Sequence, residues 1–311
     1  MFDFSRYKYI SIAISVIAIV LGFAVTIFVH KGFAHSLDFN GGLRAVISLP
    51  KEKDRSVIQK FFEEQGIEVV TVLLDKERNN YQVDIGLDAI PKIAAFNVKS
   101  AAPTDKKPKN TIEEFIMMIK KGFMLESDRI LSADQVGSVV GNELTSTGIS
   151  LLVSTLLIMT FYLTLRFQFK YALGASLALM HDLLLTIAFM GAFQIKPSVP
   201  IIAALLTLLG YSINDTIVIF DRIRENTTNT KLKLSFSTVI NNSINQTLGR
   251  TINTSLATLI SIVAIIIGGA VELYDFSIVL IFGVTIGTYS SIFIAAPIVE
   301  IYDSYFPAKS S

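Results

Sequence analysis

Asp215 stands where a carboxylate is expensive to keep. It lies in GYSINDTIVIFDRIREN, residues 210–226, directly after the apolar run VPIIAALLTLL. Five residues at ~1.5 Å each put it ~8 Å inside the end of that segment. A charge at membrane depth costs roughly 3 kcal/mol on the milder scales, so such residues face a bundle interior and mark ion or proton paths. The chemistry open to Asp215 is binding of a proton or a small cation. The alternative is a carboxylate satisfied by a neighbouring helix and used for packing alone. Ser212, one turn back, shares its helical face, and Asn214 adjoins it in sequence.

Arg250 opens the next apolar segment, in LGRTINTSLATLIS. With Asn253 or Thr254, Ala257 and Ser261 it makes a polar, small-residue stripe suited to close helix contact. It falls at a depth similar to that of Asp215. A pair between them would hold the carboxylate ionised, and an arriving proton or cation would loosen it. The other reading is an arginine snorkelling into the interface.

His181 and Asp182 occupy the middle of a third apolar run, LALMHDLLLT. A histidine beside a carboxylate can relay protons. Neighbours on a helix point about 100° apart, at 3.6 residues per turn, so the two need not touch. Either could instead bond a neighbouring backbone. In SLDFNGGL, residues 36–43, Gly41 and Gly42 suit a tight turn and Asp38 could cap it. This reads as a structural hinge and not as a site of catalysis. Asp221, Arg222, Arg224 and Glu225 form a charge cluster just beyond the Asp215 helix, either a solvated helix end or a partner contact.

Much chemistry is excluded. There is no Cys, so no disulfide framework, thiol nucleophile or Cys-based metal site. The three His (His30, His35 and His181) are too scattered for a metal site. No phosphate-binding loop, dinucleotide fingerprint or nucleophile elbow occurs. The composition thus implies no cofactor, no resident metal and no enzyme. A net charge of +1 does not call for nucleic acid. Any work the chain does must draw on a membrane gradient.

The elements that would position these residues are membrane helices. The chain is 51% hydrophobic. Six segments approach the ~20 residues needed to cross a bilayer: about 9–29, 148–165, 171–193, 199–220, 252–269 and 276–299. The first is too long for a signal-peptide core and has no small-residue cleavage site after it, so it reads as an uncleaved span. Lys and Arg collect in one set of short loops (Arg6, Lys8, Arg166, Lys170, Arg222, Arg224, Lys231, Lys233, Arg250) and the tail (Lys309), against Lys196 alone in the other. That bias puts the first set and both termini in the cytoplasm.

The expected domains are then a cytoplasmic N-terminus and first span (1–30), an external domain (31–147), a bundle of five spans (148–299) with a cytoplasmic loop at 221–250, and a cytoplasmic tail (300–311). In the external domain RAVISLP, EVVTVLL, YQVDIG and a segment within FMLESDRILSADQVG read as strands. KDRSVIQKFFEEQG and TIEEFIMMIKKG read as helices, each closed by a Gly. The order β-α-β-β-α-β suggests a split βαβ, ferredoxin-like α+β fold. AAPTDKKPKN reads as an exposed loop. FSTVINNSINQTL, between the fourth and fifth spans, spaces apolar residues on one helical face; it reads as a helix on the membrane surface or one packed against the bundle.

Four features together resemble the SecD/SecF family of the resistance-nodulation-division superfamily: GYSINDTIVIFDRIREN, NNSINQTLGRTINTSLATL, SLDFNGG after the first span, and HD in the third. The resemblance covers nearly the whole chain and is nearer to SecF than to SecD, whose external region is much larger. It implies half of a twelve-span unit completed by SecD in the cell inner membrane. That unit would act beside SecYEG, drawing unfolded polypeptides outward at the expense of protons or sodium ions. It assigns ion coupling to Asp215 and Arg250, with Asn214 as a first neighbour. Two other readings remain open at this stage: half of an exporter for lipids or small molecules, and a scaffold that only stabilises a translocon partner. The Lys-rich AAPTDKKPKN stretch departs from the family pattern.

Overall fold

The computed structural model describes residues 2–34, 41–50, 52–75, 77–99, 108, 110–136, 138–229, 234–268 and 273–306. The chain divides into two compact units, residues 1–34 with 148–311 and residues 35–147.

The smaller unit is built on four antiparallel strands, β1 (Gly42–Ser48), β2 (Val69–Asp75), β3 (Asn80–Gly86) and β4 (Ile130–Val136), in the order β2-β3-β1-β4. Helix α2 (Arg55–Glu64) joins β1 to β2; α3 (Ile90–Lys99) and α4 (Thr111–Phe123) lie between β3 and β4. Strand periodicity does the sorting. Leu43, Ala45 and Ile47 of β1 and Val83 and Ile85 of β3 turn inward, where they meet Ile58 and Phe62 of α2, Ile93 of α3 and Phe115 of α4. On the other face Arg44 and Asp84 pair at 2.9 Å. The strand order and directions are those of the split βαβ fold expected, with α3 added.

Three helix ends in this unit follow local rules. Asp54 caps α2, accepting from the Ser56 backbone N–H at 3.0 Å. Gly66, at φ +66°, closes it: its N–H bonds Glu63 O and the next N–H, of Ile67, reaches back to Phe62 O. Asn110 caps α4 through the Glu113 N–H at 2.9 Å. The other end departs from expectation. α4 runs through Gly122 and ends at Met124, which adopts the left-handed conformation at φ 55°. Gly122 is a packing residue there, since a Cβ at this position would enter the Phe61 ring.

Among the described residues, six helical segments are long and apolar enough to cross a membrane. They are α1 (Lys8–Ala24) with a π turn (Val25–Val29), α5 (Ser138–Arg166), α6 (Phe169–Ala192), α7 (Val199–Asn229), α8 (Phe236–Ile267), and α9 (Tyr274–Ser290), which continues through a second π turn (Ser291–Ala295) into α10 (Ala296–Tyr305). α6, α7 and the α9–α10 segment are the most buried; few residues of α1, α5 and α8 are buried. With its six apolar helices, the chain is a multi-pass membrane protein.

Where a separate surface helix was one expectation, α8 is unbroken from Phe236 to Ile267. Val239, Ile240 and Ile244 are buried, and the polar residues between them have backbone to bind. Asn241 Oδ1 accepts from the Phe4 N–H at 2.8 Å and Asn245 Oδ1 from that of Phe2 at 3.1 Å. Within 221–250, residues 221–229 complete α7 and 236–250 open α8, so most of this stretch is helix.

Candidate functional site

Asp215 points into the bundle from α7 and is 2% exposed. Its Oδ2 is buried and has no hydrogen-bond partner among the described residues. The polar groups acting on it belong to α8: the hydroxyls of Thr254 and Ser255 and the charge of Arg250. None of the ion pairs among the described residues joins Asp215 to Arg250. The contact pair entertained from sequence is therefore a relationship at longer range. Arg250 lies one helical turn before Thr254, ~6 Å along α8, and its side chain is exposed. It acts on Asp215 through its field.

A seam of hydroxyls on α7, α8 and α9 runs through Ser255, one of the residues that act on this carboxylate. Ser255 Oγ donates to Thr251 O at 2.9 Å and shares a 2.6 Å hydrogen bond with Thr288 Oγ1 of α9. Tyr211 Oη, on α7, donates to Ser255 Oγ at 3.1 Å. The Thr251 hydroxyl oxygen is buried with no partner among the described residues. Thr254 Oγ1 bonds back to Arg250 O at 3.1 Å and Thr251 O at 2.9 Å. Thr251, Tyr211, Ser255 and Thr288 were not singled out from sequence. The available signal was hydroxyl residues recurring on facing membrane helices, which bond across them.

Ser212 serves a different carboxylate from the one expected. Its hydroxyl donates to Asp182 Oδ2 at 2.5 Å, and Ser290 Oγ of α9 donates to the same oxygen at 2.7 Å. Asp182 is wholly buried, and His181 Nδ1 lies 2.9 Å from its Oδ1. Side chains adjacent on the helix thus do meet, because both swing toward the bundle interior. Gly287 makes the cluster possible, since a Cβ there would stand 3.0 Å from Ser212 Cβ. The α7–α9 crossing is tight there, and a side chain at this position would require its neighbour to give way.

Asn214, expected beside Asp215, has an exposed side chain. It follows the helical turn to the outside of α7 and takes no part in the buried cluster. Gly41 has φ 75°, as a turn into β1 requires, and Gly42 begins that strand opposite Gly86. Asp38, most of the Lys-rich stretch 101–110, and Lys231, Lys233 and Lys309 lie outside the described residues. Arg222 is tied to Glu225 at 2.6 Å and to Gln246 of α8 at 2.6 Å, so the charge cluster links α7 to α8.

Six membrane-crossing helices, a small α+β unit after the first, and two buried carboxylates on adjacent core helices define a polytopic membrane protein with ionisable groups at its centre. Comparison with known proteins gives the family. The description "Protein export membrane protein SecD/SecF, C-terminal" matches residues 119–304, and this chain belongs to that SecD/SecF family. It is 37% identical to the Protein translocase subunit SecF of Sebaldella termitidis over 86% of this chain and 82% of that one. It is 33% identical to the Borreliella burgdorferi subunit of the same name, covering 95% of each. The crystal structure of SecDF, a translocon-associated membrane protein from Thermus thermophilus, superposes with a TM-score of 0.77 at 29% identity. That match takes in 97% of this chain and 39% of the SecDF chain.

Proposed function

We propose that this chain is the SecF-like subunit of a protein translocase. Assembled with SecD in the cell inner membrane, both termini cytoplasmic, it uses a proton or sodium gradient to promote late export of unfolded polypeptides through SecYEG. Its part is mechanical coupling, with no bond chemistry of its own. Asp215 is the residue whose proton or ion occupancy changes, Arg250 the charge that responds, and helix movement carries the change to the external domain.

The observation that carries this reading is Asp215 itself. A carboxylate 2% exposed within a membrane helix, with an oxygen that nothing described binds, is ready for a proton or cation. The relatives named as translocase subunits and the likeness to SecDF supply the direction of the work. The test is export of a secreted reporter from membrane vesicles lacking their own copy, with SecD present and the gradient set or collapsed. Asp215→Asn is expected to remove the gradient-dependent part. If the variant still assembles with SecD and exports at the wild-type rate, the chain is a scaffold and its buried carboxylate is structural.

A further inference from the structure

His181 and Asp182 lie at the middle of α6, and their contacts engage every side-chain polar atom but one. Asp182 Oδ2 takes hydroxyl protons from Ser212 of α7 and Ser290 of α9; Oδ1 takes the His181 Nδ1 contact. Two hydroxyl donors on Oδ2, with the imidazole Nδ1 assigned as donor to Oδ1, suit a carboxylate anion. A lone anion in the middle of a membrane bundle is costly. The elements packed against α6 are α1 with its π turn, α7, α9 with its π turn, and α10.

These elements bring several charged or titratable groups. Lys8 of α1 is taken by Glu300 of α10 at 2.8 Å. Asp303 of α10 is taken by Lys170 at 2.6 Å. Tyr289 of α9 donates its hydroxyl to Ser11 O at 3.2 Å. Asp275 opens α9, the cluster at 221–225 closes α7, and Asp215 has the α8 neighbours already described. Among the described residues, the ion pair made by Asp182 is with His181. Neutralisation therefore falls to the imidazole.

His181 has one nitrogen left for that task. Nδ1 is committed to Asp182, while Nε2 is buried and has no partner among the described residues. The geometry points to His181–Asp182 as a second proton-holding site of the bundle, in which the proton enters and leaves at His181 Nε2. With the proton on, the pair is neutral as imidazolium and carboxylate. With it off, an anion remains whose other two donors are Ser212 and Ser290. Ser212 stands one turn from Asp215 on α7, and Ser290 directly precedes the second π turn, a kind of irregularity common at functional sites. A change in the net charge of the pair thus acts at once on the helix of the coupling residue and on an irregular point of the sixth span. The inference rests on reading Asp215 as the coupling residue.

The test uses the full chain assembled with SecD in lipid. The chain contains three histidines, so nitrogen-15 labelling of histidine yields three imidazoles, and His181→Asn identifies the signals of the third. His181 is expected to pass between imidazolium and a neutral ring deprotonated at Nε2 as the bath pH is raised, and Asp182→Asn should abolish that passage. A ring that stays in one neutral form over the whole range in which the complex remains assembled overturns the inference. His181→Asn keeps an amide donor for Asp182 but no exchangeable charge. Gradient-driven reporter export should fall on the order of a hundredfold, the low end of what a positioned proton-transfer group supplies; full retention also overturns it. Asp215→Asn, measured in parallel, separates the two ideas. Loss of export in Asp215→Asn beside a static, dispensable His181 defeats this inference alone. Retained export in Asp215→Asn defeats the coupling reading instead.

Discussion

The Ser212 hydroxyl donates to Asp182 and is thereby withheld from Asp215, three residues further along the same helix. One face of α7 thus feeds two carboxylates unequally. Asp182 Oδ2 accepts from two serine hydroxyls, whereas Asp215 Oδ2 is buried with no partner among the described residues. The contrast supports the proposal that Asp215 is the residue that takes the incoming ion, while Asp182 is joined to α7 and α9 through Ser212 and Ser290.

Arg250 should act by charge and not by shape. It makes no contact ion pair with Asp215, and no fork geometry has to be preserved. Arg250→Lys is expected to retain most gradient-dependent export, and Arg250→Gln to lose it. Export in vesicles, compared at low and high internal salt, checks this. Equal loss in both variants would point to a bidentate contact formed in another state.

Gly287 is a close contact between α7 and α9. A methyl group there meets Ser212 Cβ at 3.0 Å and Oγ at 3.3 Å, both on a rigid helix. Gly287→Ala should cost about 1–3 kcal/mol of bundle stability through overpacking. It should also displace Ser212 from Asp182. Thermal unfolding in detergent reads the first effect, and the nitrogen-15 spectrum of His181 the second.

Gly122 gives a prediction whose sign departs from propensity. Gly to Ala inside a helix ordinarily gains up to ~1 kcal/mol. Here the new methyl group enters the Phe61 ring, which is itself held edge-on by Phe62, Phe96 and Phe123. Gly122→Ala is expected to destabilise the smaller unit by about 1–3 kcal/mol. Amide exchange of α4 in the full chain measures it, and faster exchange is the expected result.

The Asp54 cap predicts a pH dependence outside the membrane segments. Hydrogen bonds from the Ser56 side chain, then its backbone N–H, hold the Asp54 carboxyl below its ordinary value. The stabilisation is therefore present above the ordinary carboxylate range and is lost as pH falls through the lowered value. Amide exchange at the start of α2 should quicken on acidification. Asp54→Asn, which still caps but does not titrate, should flatten that response.

The legible parts of this protein were those written in single segments. Apolar length marked the spans, and a carboxylate interrupting such a run marked Asp215. Period-2 burial in β1 and β3 marked the sheet. The illegible parts depend on which helices touch. That Ser212 belongs to Asp182 needs the packing of α6 on α7, and nothing in the spacing of either helix states it. The continuity of α8 was hidden because Asn241 and Asn245 read as a water-facing stripe, while their partners, the backbones of Phe4 and Phe2, lie more than 200 positions away. Helix α3 was overlooked although Pro91 stands in its first turn, a favoured place for proline.

Pro297 leaves a trace that a double-mutant cycle can detect. Proline has no N–H, so Pro297 cannot act as an α-type donor to Phe293 O, four residues before it in the second π turn. Ser11 of α1 reaches across and donates to that carbonyl at 2.9 Å. Its hydroxyl thus repairs a defect in the sixth span and pins the first span against it. Ser11→Ala should cost about 0.5–2 kcal/mol, as interhelical hydrogen bonds in membranes do. In the Pro297→Ala background a main-chain N–H becomes available to Phe293 O, and the same substitution should cost much less. Unfolding midpoints of the four proteins give the coupling energy. A coupling near zero would mean that Ser11 and Pro297 act independently, and the carbonyl between them would not be what joins the two spans.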